Sequence, residues 1–256
     1  MAMNCVVVDI GNTSTSVALA RGKAIGPIRR LSGGGHNSGK AISGALRDVA
    51  RGRELAGAVL SSVVPRVDRI WRAELTKLLG HPPLVVSHKL NLDVSVSYPH
   101  PATIGGDRLA NACGAVARYG APVIVADFGT AVTFDVISTG KEYIGGVIAP
   151  GLPLMTDYLA EKTALLPHIE LRGGYGKVGK STVTAMRIGA RIGYRGMVRE
   201  IVDYLIDGLN FKDVRLSATG GYARWVLEDM DMPFHFDPDL TLFGLSRIFE
   251  LNTPGK

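Results

Sequence analysis

The chain has 256 residues, of which 46% are apolar and 20% charged. That balance belongs to a soluble globular protein and excludes a disordered or fibrous one. The length suits one large domain or two lobes of ordinary size. No apolar run reaches the about 18 residues that a membrane helix needs. The start "MAMNCVVVDIGN" has no basic region before its short apolar run, so a cytoplasmic protein is expected, without a membrane partner. Only Cys5 and Cys113 are present, with no metal-ligand spacing, and they read as reduced core residues. The net charge of +6 sits partly in Arg21, Lys23, Arg29, Arg30, Lys40, Arg47, Arg51 and Arg53. These are spread along the chain without aromatic interleaving. They read as a solvated face with a mild pull on anions rather than a nucleic-acid surface.

In chain order, valine-rich 4–10 reads as a buried strand. "STSVALA" and "AIGPIRRLS" follow as strands, and "SGKAISGALRDVA" as a helix. "LAGAVLSSVV" is a strand ending at Pro65. "PRVDRIWRAELTKLLG" is a helix with Pro at its start and Gly at its end. "PPLVVS" is another strand, and 107–119 another helix. Three strands follow in "PVIVADF", "AVTFDVIS" and "EYIGGVIAP". The chain then reads as helices at about 151–161 and 181–208, a strand "VRLSAT", a turn and helix "GGYARWVLED", and a closing helix "LTLFGLSRIFEL".

The second half repeats the first. With Asp9 laid on Asp127, Gly11 falls on Gly129, Val7 on Val125 and Thr15 on Thr133. The order of elements around the two stretches repeats as well. A duplicated α/β lobe explains both, with lobes at 1–118 and 119–256. In each copy an Asp ends a buried strand, and a Gly two residues later lets the backbone turn tightly beside a ligand. The polar residues that follow add hydroxyls and exposed N–H groups, an anion nest. A carboxylate beside phosphate makes sense when a cation such as Mg2+ bridges them. With neither a Walker A motif nor GxGxxG, the chain is not read as a P-loop or dinucleotide-binding protein.

These turns, with the glycine cluster "SATGGYA", resemble the actin/sugar-kinase/heat-shock-ATPase superfamily. That resemblance implies two ribonuclease-H-like lobes, each a mixed sheet flanked by helices, with nucleotide between them. The strings "DIGNTSTSVAL", "IGGDRLANA", "VADFGTAVTFDV", "YIGGVIAPGL", "STVTAMRIGARIGYRGMV" and "ATGGYA", in that order, narrow it. Together they resemble type III pantothenate kinase, the family that includes the Bvg accessory factor regulators, from about residue 5 to about residue 248.

The resemblance implies ATP-dependent phosphorylation of pantothenate on its primary hydroxyl, the first step toward coenzyme A. It implies that Asp9, Ile10, Gly11, Asn12, Thr13, Ser14, Thr15 and Ser16 form a phosphate loop, with Asp9 near Mg2+ directly or through water, and that Thr130 contacts ATP. Asp107 corresponds to the proton acceptor. Gly105, Gly106, Asp107 and Arg108 correspond to the pantothenate motif, with Tyr98 lining the same pocket. Asp127 corresponds to the ligand of a monovalent cation, K+ or NH4+. Thr182 corresponds to a substrate contact supplied across a homodimer. Gly106 stands where alanine is usual in the family, and Ser181 where asparagine is common.

The chemistry is coherent without the name. A hydroxyl attacking a γ-phosphate needs in-line placement, charge neutralisation and a proton acceptor. Arg108 can take a carboxylate in a fork, and Asp107 can accept the proton late. Two alternatives stand beside this reading: a Bvg-accessory-like transcriptional regulator, and a kinase for another small hydroxylated substrate on the same fold. Ser181 or Thr182 could instead cap the 181–208 helix.

Overall fold

The computed structural model describes residues 3–173 and 176–253. β1 (Asn4–Ile10) and β2 (Ser14–Arg21) pair antiparallel, from Asn4 opposite Arg21 to Ile10 opposite Thr15. β1 also pairs parallel with β5 (Gly57–Ser62), which puts Asp9 beside Ser61. β5 carries β6 (Leu84–Val85) in parallel, and β2 carries β3 (Ala24–Ile25) and β4 (Arg29–Ser32) in antiparallel. The single strand expected over 24–32 is therefore two. Gly26 donates its N–H to the Leu19 carbonyl at 2.9 Å, and Pro27 has no N–H with which to continue the ladder.

α1 (Gly39–Ala50) is capped by Ser38, whose side chain accepts from the Ala41 N–H at 3.4 Å. α2 (Pro65–Leu79) opens on proline and stops at Gly80, whose φ of +78° is the left-handed conformation that ends helices. The two helices bury Ile42, Leu46, Val67, Trp71 and Leu75 against Val6, Val8, Ile10 and Leu60 of the sheet. This apolar face packs Val6, Val8 and Ile10 of β1, and strand alternation turns the half-buried Asp9 to the other side.

The second sheet has the order β12-β11-β8-β9-β10-β7. It is built from β7 (Ser95–Val96), β8 (Val123–Phe128), β9 (Ala131–Ile137), β10 (Glu142–Pro150), β11 (Arg215–Thr219) and β12 (Phe234–Phe236). The first sheet runs β3-β2-β1-β5-β6. In each, the opening strand of the copy lies between its hairpin partner and the next strand reached through helices. Strand order thus repeats along with sequence. β1 and β8 also share a burial pattern, four buried residues, a half-buried Asp, then a buried residue.

Among the remaining helices, α3 (Gly106–Tyr119) packs on α8 (Leu240–Asn252). A side chain at Gly244 would overlap the Ala110 backbone, and a Cβ at Gly114 would lie 3.0 Å from the Leu240 carbonyl oxygen. α4 is Leu152–Lys162 and α7 is Ala223–Leu227. The helix expected over 181–208 is α5 (Thr182–Ile188) and α6 (Tyr194–Leu209), joined by a π turn at Gly189–Gly193. The chain forms two compact units. One comprises Met1–Val123, Val136–Gly145 and Asp239–Lys256, and the other Ile124–Asp135 and Gly146–Pro238.

Candidate active site

In the first unit, β1 ends in a tight turn closed by the Gly11 N–H donating to the Ser14 carbonyl at 3.0 Å. Asn12 and Thr13 are exposed at its tip. Ser14 and Ser16 share one face of β2, with Ser16 opposite Asp9. Thr15 faces the other way. It is fully buried, and its hydroxyl has no hydrogen-bond partner among the described residues. Ile10 is also fully buried, and its carbonyl accepts from the Val63 N–H at 3.1 Å, which ties the turn to the end of β5.

α3 begins next to this turn through Ser61. Ser61 neighbours Asp9 in register, and a Cβ on Gly106 would lie 3.1 Å from Ser61 Oγ and 3.4 Å from Val86 Cβ. Gly106 therefore lets α3 start close against β5. The Ser61 hydroxyl is buried without a hydrogen-bond partner among the described residues. Asp107 occupies the first turn of α3, where the helix dipole favours an anion. Its Oδ1 accepts from the Arg108 N–H at 2.8 Å. Burial pushes the Asp107 carboxyl above the usual carboxylate range, while that N–H and the Arg108 charge pull it down. A carboxyl with raised affinity for a proton suits a proton acceptor.

Arg108 lies 5.8 Å from the centre of the Tyr143 ring, and Tyr98 meets that ring edge-on at 6.3 Å. The pairing of β7 with β10 places both tyrosines: Ser95 lies opposite Glu142, Val96 opposite Tyr143, and the Ser97 N–H donates to the Tyr143 carbonyl at 3.0 Å. Gly145, at φ +128°, comes up against Tyr98, where a Cβ would stand 3.6 Å from the ring. Tyr143 was not expected from sequence. Its signal there is an inward position on a strand, which reads as core. It is fully buried, whereas Tyr98 is partly exposed.

In the second unit, β8 ends at Asp127–Phe128. The turn after it is closed by the Gly129 N–H donating to the Ala131 carbonyl at 3.0 Å. Thr130 is exposed at this turn, and its carbonyl accepts from the Gly151 N–H at 3.1 Å. A side chain at Gly151 would overlap the carbonyls of Gly129 and Thr130. The Gly220–Gly221 turn lies against the same strand end. Gly220 has φ +94°, and a Cβ there would be 2.6 Å from Asp127 Oδ1. Ser181 caps α5, accepting from the Thr184 N–H at 3.2 Å, while Thr184 Oγ1 accepts from the Ser181 N–H at 3.0 Å. Thr182 is thereby left outside the cap and exposed.

The oxygen donors at Asp9, Ser16 and Asp127 suit hard cations that retain water and share phosphate oxygens. Among the described residues no group of three or more His, Cys, Asp or Glu forms a metal cage.

Two sheets of one strand order, each with an Asp-x-Gly turn at the end of its first strand, make an α/β fold that solved sugar kinases share. A ROK hexokinase from Thermus thermophilus superposes with a TM-score of 0.53 at 14% identity, covering 96% of this chain and 98% of its own. A conserved Campylobacter jejuni protein, described as a candidate Baf-family transcriptional activator, superposes with a TM-score of 0.60 at 17% identity, covering 96% and 97%. Sequence is more specific: the type III pantothenate kinase profile matches residues 5–204. A protein named type III pantothenate kinase from Akkermansia muciniphila is 44% identical over 250 residues, 98% of this chain and all of that one. The chain belongs to the type III pantothenate kinase family.

Proposed function

We propose that the chain transfers the γ-phosphoryl group of ATP to the primary hydroxyl of pantothenate, giving 4'-phosphopantothenate. Family membership supports the activity. The observation that carries it to named residues is the contiguity of Asp9, Ser61 and the Gly106–Asp107 start of α3 within one unit. A phosphate-binding turn and a helix bearing a proton acceptor are thus one strand apart.

In this reading Gly11, Asn12, Thr13, Ser14 and Ser16 hold phosphate oxygens, and Asp9 holds Mg2+ directly or through water. Bound there, Mg2+ neutralises charge on the phosphates. Thr130 contacts the nucleotide, and Asp127 binds K+ or NH4+. Arg108, steadied by the Tyr143 ring, takes the pantothenate carboxylate, and Tyr98 closes over the chain of the substrate. Asp107 accepts the hydroxyl proton as the oxygen–phosphorus bond forms. Its raised proton affinity brings it nearer that of the group it relieves. Ile10 and Thr15, both buried, act by setting the shape of the turn.

Thr182 is assigned to the substrate pocket of a second copy. The exposed apolar residues Leu154, Tyr158 and Leu159 of α4 and Ile192 of the π turn support a homodimer. The lobes at 1–118 and 119–256 remain the proposed evolutionary units. Incubation with ATP, Mg2+, K+ and a panel of small hydroxy acids, read by mass spectrometry, tests the assignment. The expected product is pantothenate plus one phosphoryl group. Phosphorylation of another panel member in its place would refute it.

A further inference from the structure

The π turn at Gly189–Gly193 is the one interruption of an otherwise regular helical run from α5 to α6. Inserting one residue into a helix rotates everything after it by about 100°. Here the rotation delivers two side chains to the interior of the second unit. Tyr194 is fully buried, with its ring 6.5 Å from that of Phe128 at the end of β8. Arg195 is 7% exposed and turns toward α7.

Arg195 closes the end of that helix. Its Nε donates to the Val226 carbonyl at 2.8 Å, and its Nη2 donates to the carbonyls of Trp225, at 3.1 Å, and Glu228. Its Nη1 stands 3.6 Å from Asp229 Oδ2. Arg191, one turn earlier, donates to Asp229 Oδ2 at 2.7 Å and to Glu228 Oε2 at 3.1 Å. Both guanidinium groups lie over the Trp225 ring, at 5.3 and 5.7 Å. α7 has five residues, too few to persist alone. The Arg224 and Leu227 carbonyls accept from the Glu228 and Met230 N–H groups at 3.1 and 3.0 Å, and those of Trp225 and Val226 accept from Arg195. A planar guanidinium fork donates to both in a fixed geometry, which an apolar side chain cannot do and which the single flexible ammonium of a lysine matches only in part.

The other end of α7 belongs to the candidate active site. The Tyr222 N–H donates to the Phe128 carbonyl at 3.1 Å, and the Ala223 N–H to the Gly220 carbonyl at 3.3 Å. Gly220 in turn lies against Asp127 and Phe128. One short helix therefore links the arginine bracket to the strand end that carries Asp127.

We propose that Arg195, seated by the π turn, is a positioning residue for the nucleotide side of the site. It anchors the C-terminal end of α7 so that the Gly220–Gly221 turn stays against Asp127 and Phe128. The inference rests on the reading that this strand end serves the nucleotide. Tyr98, Arg108 and Tyr143 belong to the other unit, so loss of the bracket weakens nucleotide binding selectively.

The test compares wild type with Arg195→Met and Arg195→Lys. It reads the dissociation constant for Mg-ADP by calorimetry, then KM for ATP, KM for pantothenate and kcat. Arg195→Met is expected to weaken ADP binding and raise KM for ATP at least tenfold, with KM for pantothenate within twofold. Arg195→Lys, which keeps the charge but not the fork, should recover part of the loss. ADP binding within twofold of wild type, with only a lower melting temperature, would overturn the proposal. So would equal rises in both KM values. If Arg195→Met does not fold, Arg195→Lys decides alone, and unchanged ADP affinity overturns the proposal. Wild type that binds ADP but forms no phosphopantothenate would sink the kinase reading instead, and the ADP comparison would still judge Arg195.

Discussion

Asp107→Asn is expected to move activity and stability in opposite directions. Asparagine keeps the oxygen that accepts from the Arg108 N–H at 2.8 Å, so the start of α3 is retained. What it loses is the capacity to take a proton. Loss of a positioned general base costs about 10²–10⁴-fold in rate, or roughly 3–5 kcal/mol in the barrier. Burial raises the affinity of the Asp107 carboxyl for its proton in the folded state. The folded state then holds that proton more tightly than the unfolded chain. Stability falls as pH rises from the unfolded value of about 3.9 through the folded one, and the cost persists at neutral pH. Asparagine removes that cost. The variant should melt higher than wild type at pH 7.5, and the gap should close toward pH 4. In wild type, the acidic limb of kcat/KM should lie above the ordinary carboxylate range, and the variant should lack it. Calorimetric melts across pH and a coupled ADP-release assay measure both. Near-wild-type turnover, or a stability gap that widens as pH falls, would refute the reasoning.

Gly244→Ala should destabilise the fold by about 1–3 kcal/mol, because the added methyl meets the Ala110 backbone, which no rotamer change can relieve; urea denaturation measures it, and an unchanged midpoint would contradict the α3–α8 crossing. Asp127→Asn should raise the K+ concentration needed for half-maximal activity at least tenfold while leaving KM for pantothenate nearly unchanged, as read from K+ titrations of initial rate. Burial pushes the Cys5 and Cys113 thiols up to about 12, so neither should react with a disulfide reagent at pH 8 until denaturant is added; rapid labelling of the native protein would contradict that burial.

The features legible in the sequence were those with local causes. The Asp-x-Gly turns stood out because an apolar run must end where a carboxylate leaves the core, and the structure places Asp9 and Asp127 at matching strand positions. The bounds of α2 followed from Pro65 and Gly80. Features created by distant partners were not legible. β7 and β12, two and three residues long, exist as strands through their pairing with β10 and β11. Tyr143 looks like any inward strand residue until β7 brings Tyr98 beside it. The π turn was hidden because "GARIG" continues helical spacing, and only the burial of Tyr194 and Arg195 reveals the shift. Thr15 follows its neighbours Ser14 and Ser16 in composition, but strand alternation sends its hydroxyl into the core.

The most direct test of the central claim is ADP release by the purified protein with ATP and Mg2+, measured with and without pantothenate and with and without K+. The account predicts release that requires pantothenate and rises strongly with K+. ADP release at the same rate without pantothenate, or none under any of the four conditions, would contradict it.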